Sequence, residues 1–131
     1  MPSRYVVSEE LKIIALVGLG GAIGSIARYL VQDYVGTHDF PWGTFAVNFI
    51  GSLLISMIFF SSTGAELSPL IKMFLFIGIF GGFTTMSSFS LDTVGLLISE
   101  RFGAALFNIF LNGGICVLGA LAGRWLVMLI S

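Results

Sequence analysis

Apolar residues fill four stretches of the chain, at about 11–32, 43–61, 70–98 and 103–130, with short polar connections between them. A bilayer core about 30 Å thick takes roughly 20 helical residues to cross, and each stretch is long enough or nearly so. Open strands would leave edge N–H and C=O groups unsatisfied in lipid, and four short strands do not close a barrel. The pattern therefore predicts an all-α integral membrane protein, one domain over residues 1–131 with four transmembrane helices. Turn chemistry marks the connections. DYVGTHDFPWG holds Gly36 and Pro41, SSTGAELSP ends in a proline before the third helix, and SERFG is a tight turn. Pro41 suits a helix start and Trp42 an interfacial belt.

Polar positions inside the spans also follow a helical period. Thr44, Asn48, Ser52 and Ser56 recur every four residues, which places them along one face of the second helix. Asn108 and Asn112 repeat that spacing in the fourth, with Cys116 next in the row. Such stripes bond to neighbouring helices or line a wet path, and a buried amide needs several partners. In the first helix Gly20 and Gly24 form a small-xxx-small pair that admits another helix closely. The run is not a dinucleotide fingerprint, since Ile23 stands where a glycine is required. Arg28, near the end of that helix, must face protein, water or the interface. It reads either as a snorkelling anchor or as a cation at the mouth of an anion path.

The decapeptide GGFTTMSSFS, residues 81–90, interrupts the third apolar stretch. Its glycines each cost about 1 kcal/mol in a helix relative to alanine. Thr84, Thr85, Ser87 and Ser88 can bond to local backbone and steady an unwound turn. Such breaks survive in membranes only where protein buries them or they line a cavity, and freed carbonyls can then bind a cation. A third helix broken in its middle is expected. Phe83 and Phe89 flank it, and a phenyl edge carries partial positive charge that can favour an anion.

Composition agrees with a lipid solvent: the 131 residues are 56% hydrophobic and 10% charged, with a mean hydropathy of +1.03. Soluble domains carry about 25% charged residues. The net charge of −1 offers no footprint for nucleic acid. One cysteine, Cys116, and one histidine, His38, exclude an intrachain disulfide and a His-based zinc cage. The first apolar run reads as a retained span in place of a signal peptide. Four spans put Arg4, Lys12, Lys72 and Arg124 on one side and Arg28 and Arg101 on the other. That weak bias does not select one orientation.

Taken together these motifs resemble the Fluc/CrcB family of fluoride channels over essentially the whole chain. GSIAR (24–28) ends the first glycine run, PWGTFAVNFIG opens the second helix, and GGFTTMSSFS is close to the family's G-G-x-T-T-F-S-T-F-S. The resemblance implies a fluoride-selective channel for passive efflux that lowers cytoplasmic fluoride. It is expected in the cell (inner or plasma) membrane as a multi-pass, dual-topology, antiparallel homodimer. It also implies a structural sodium ion at the dimer centre, held by backbone carbonyls at Gly81 and Thr84. Asn48 matches the pathway asparagine, Arg28 the vestibule arginine and Phe89 the second pore phenylalanine. Met86 stands at the first, where the family has a ring. Thr44, Thr85, Ser88 and Asn112 are further candidates for the fluoride path. No covalent chemistry, and so no enzyme, is expected. Two rival classes are a small multidrug-exporter-like secondary transporter, which needs an embedded carboxylate that the first helix lacks, and a non-transporting membrane subunit.

Overall fold

The computed structural model describes residues 4–36 and 39–130, with side chains from Ser8 onward. His38 and the side chain of Arg4 fall outside the described residues. Four helices are long and apolar enough to cross a membrane: Ser8–Val35, Trp42–Phe60, Pro69–Ile98 and Phe102–Ile130. The first belongs to a helix that starts at Arg4. A five-residue helix, Ser62–Glu66, lies in the second connection, with the Ser61 side chain accepting from Gly64 N–H. Pro69 stands in the first turn of the third span, where its missing N–H costs nothing, and Ser68 caps it.

The first span packs on the third, and the second on the fourth and the first. Glycine sets the first of these contacts. A Cβ on Gly20 would lie 2.9 Å from the Gly78 Cα, and one on Gly82 would lie 2.6 Å from the Gly21 carbonyl. The Gly20–Gly24 pair thus meets the third span, backbone against backbone. Large side chains such as Leu11, Ile26, Leu91 and Leu129 are exposed, as a lipid-facing surface requires.

Two segments wind in a way that was not anticipated, and the expected break is narrower than the stretch 81–90. Met73–Phe80 and Phe110–Ile115 wind as wider π turns, a form often found at functional sites. And the third helix does not open at its glycines. Gly81 has helical angles, φ −63° and ψ −35°. The two extended residues are Thr84, at φ −82° and ψ 157°, and Thr85, at φ −150° and ψ 110°. Gly82 serves close approach to the first span instead.

The third span ends in a left-handed turn. Glu100 has φ 60°, while its N–H donates to Leu97 O at 3.0 Å and that of Arg101 to Leu96 O at 2.9 Å. This is a helix stop that favours glycine, and the conformation costs a side-chain-bearing residue about 1–2 kcal/mol. Glu100→Gly is expected to stabilise the detergent-solubilised protein by about 1 kcal/mol in equilibrium denaturation; a loss of stability would contradict this account of the turn.

Candidate functional site

A polar site forms where the break in the third span faces the second and fourth. Thr85, 5% exposed, presents its backbone sideways because it is extended. Asn48 meets it at two points. Its Oδ1 accepts from Thr85 N–H at 2.7 Å, and its Nδ2 donates to Thr85 O at 3.1 Å. The side-chain amide thus pairs with the backbone as a neighbouring β-strand would. The remaining Nδ2 hydrogen goes to Asn112 Oδ1 at 2.8 Å.

The chain of amides continues inward. Asn112 Nδ2 donates to Asn108 O at 3.1 Å and to Asn108 Oδ1 at 3.0 Å. Asn108, fully buried, donates to Thr93 Oγ1 at 2.9 Å, and Thr93 donates to Phe89 O at 2.7 Å. Thr93 was not among the expected residues, though it follows Thr85 by eight positions and so shares its face two turns on.

Local capping completes the break. Thr85 Oγ1 accepts from Ser88 N–H at 3.1 Å and lies 3.0 Å from the Ser88 hydroxyl. In an unbroken helix the Gly81 carbonyl would accept from Thr85 N–H, and the Thr84 carbonyl from Ser88 N–H. Both donors are diverted to side chains, so both carbonyls leave the helical ladder. Arg28 Nη1 reaches the Thr84 carbonyl at 3.4 Å.

An open cavity of about 430 Å³ lies against this assembly. Asn48, Ser52, Thr84, Thr85 and Asn112 supply its polar lining, with Gly81, Met86 and Phe89 beside them. Met86 is 74% exposed. Thr44 and Ser88 line a second depression instead, with Gln32, Asp33 and Asp92. There Thr44 Oγ1 donates to Asp92 Oδ2 at 2.7 Å and accepts from Gln32 Nε2 at 3.3 Å. The Thr85–Ser88 contact joins the two regions. Arg28 lines neither. Among the described residues no group of three or more His, Cys, Asp or Glu side chains could hold a metal; the oxygens at the break are neutral ones, from backbone carbonyls and from Asn, Ser and Thr side chains.

Four spanning helices, a capped break in the third and a mostly apolar cavity with a polar patch beside it define a small multi-pass membrane protein built around interrupted backbone. The chain belongs to the CrcB family: the family model described as "CrcB-like protein, Camphor Resistance (CrcB)" matches residues 15–124. Its relatives include the fluoride-specific ion channel FluC of Bacteroides fragilis, 40% identical over 122 residues, covering 88% of this chain and 96% of that one. The channel of the same name from Magnetococcus marinus is 40% identical over 114 residues, with 84% and 93% covered. That from Clostridium perfringens is 36% identical over 126 residues, with 93% and 98% covered.

Asn48 should matter to folding as well as to any ion. Asn48→Ala leaves the Thr85 N–H and C=O without these partners, at about 1–3 kcal/mol per buried group. A stability loss of about 2 kcal/mol or more in equilibrium denaturation is expected, and an unchanged denaturation midpoint would refute the clamp.

Proposed function

We propose that this protein is a fluoride-selective channel giving passive efflux across the cell membrane. The observation that carries the reading is the cavity beside the broken helix, in a chain about 40% identical to relatives named for fluoride conduction. Fluoride is small and strongly hydrated, so a selective path must replace water with fixed donors and positive ring edges. Asn48, Thr85 and Asn112 provide amide and hydroxyl groups at the cavity, and Phe89 provides a ring. Thr44 and Ser88 extend the polar lining toward the second depression. Met86 replaces a ring edge with a flexible thioether, which fills space without the same field. Conduction needs sites that bind weakly and in series, and neutral dipoles meet that condition better than lysine or arginine would. Arg28, beside the Thr84 carbonyl, would raise the local concentration of anions without sitting in the cavity.

An antiparallel second copy would cover the open side of the cavity. The balance of four cations against two on the two sides of the membrane supports insertion in both orientations. Gly81 and Thr84 would hold a sodium ion at the junction through the carbonyls that the break releases. These are hard, neutral oxygens of the right kind. One chain supplies only part of a coordination shell, which is why the ion belongs between two copies. When bound it supplies positive charge that fixes the junction, and no covalent or transport step is assigned to it.

Purified protein in liposomes should release fluoride, read with a fluoride electrode, and retain chloride. Comparable chloride release would sink the selectivity. Reversing the sodium gradient should leave the fluoride flux unchanged; a flux that follows the sodium gradient would turn the protein into a coupled transporter.

A further inference from the structure

The stripe on the second span divides into committed and uncommitted groups. Thr44 donates to Asp92. Asn48 has spent both amide hydrogens, on Thr85 and Asn112. Ser56 donates to the Ala120 carbonyl at 2.6 Å. Between them stands Ser52, half-buried on the cavity wall. Among the described polar side chains of this wall, it is the one whose hydroxyl makes no hydrogen bond: Thr84 donates to Phe80 O, Thr85 is tied to Ser88 and Asn112 to Asn108.

That freedom is unusual for a hydroxyl on a membrane helix. Ser90 and Thr93 each donate to the carbonyl four residues back, the customary resting place for such groups. Ser52 could do the same with the Asn48 carbonyl and does not. Its hydroxyl hydrogen can rotate to suit a visitor. Ile55, Phe76 and Phe80 stand on the same wall and offer the Ser52 hydroxyl no competing side-chain acceptor. A hydroxyl donor among apolar side chains bonds more strongly to a charge than one in water does.

We propose that Ser52 Oγ–H is a fluoride-contacting donor in the cavity, the group an incoming ion meets without first displacing a bond inside the protein. Asn48 and Asn112, whose amides are already paired, yield a hydrogen only by exchange. The assignment rests on the fluoride reading above and deepens it. It also bears on selectivity, since a short O–H contact suits the small ion and a larger halide loses part of it.

The test compares fluoride release from liposomes over a range of fluoride concentrations for the wild type, Ser52→Ala, Ser52→Thr and Ser52→Val. Threonine and valine are nearly isosteric and differ in the hydroxyl. Expected are near wild-type flux for Ser52→Thr and about tenfold lower flux at limiting fluoride for Ser52→Val and Ser52→Ala, the loss of one charge-assisted hydrogen bond. The half-saturating concentration should rise with it, while elution volume and thermal unfolding stay as in the wild type. Equal flux in Ser52→Thr and Ser52→Val overturns the role of Ser52 while leaving the channel reading intact. A wild type that passes no fluoride overturns both.

Discussion

Everything at the centre of this protein depends on how the Thr85 backbone is satisfied. An extended residue within a membrane span exposes an N–H and a C=O that lipid cannot pair, and each unsatisfied group costs several kcal/mol. Asn48 answers both from a neighbouring helix at 2.7 and 3.1 Å. The side chain substitutes for the missing helical partners, and in doing so it fixes the register of the second span against the third. The Thr85 hydroxyl then caps the following helix through Ser88. The break is an ordered element with its own hydrogen-bond accounting, not a loosened helix.

The clamp works because the third span is held from its other side. Gly20 and Gly24 bring the first helix within backbone contact of Gly78, Ile79 and Phe83, and Gly82 lets the third span close on the Gly21 backbone. Arg28 follows from that docking one turn later, and its guanidinium reaches the released Thr84 carbonyl. A longer residue at Gly20 would push the helices apart and withdraw the arginine with them. Glycines near the break thus act through distance between helices, while two threonines provide the extended conformation.

Much of this was legible in the sequence, for physical reasons. Lipid tolerates few alternatives to long apolar helices, so the four spans could be read from length and hydropathy. The period of Thr44, Asn48, Ser52 and Ser56 revealed a shared face, because helical geometry converts spacing into direction. The glycine pair in the first helix predicted a close approach. What could not be read was how the stripe would divide its hydrogen bonds. Spacing gives a face but not a partner, so the saturation of Asn48 and the buried role of Thr93 appear only in three dimensions. The break falls inside the stretch 81–90 where it was expected, but its extended residues are Thr84 and Thr85 and the glycines stay helical, because propensity ranks glycine as the weaker helix former and cannot say which residue of the stretch yields. The π turns leave no mark on hydropathy at all.

The amide ladder from Asn48 to Thr93 also explains why a cavity can be polar without being sticky. The Asn48 and Asn112 amide hydrogens at the cavity are already paired inside the protein, so an anion there gains only the difference between a new bond and the one it displaces. A free lysine or arginine in the same place would bind far more strongly, and release would slow accordingly. Arg28 turns its guanidinium to a carbonyl at 3.4 Å and does not line the cavity. On the proposed reading, selectivity without trapping would rest on ordinary groups: dipoles held at fixed positions by their own partners and a hydroxyl left free to turn.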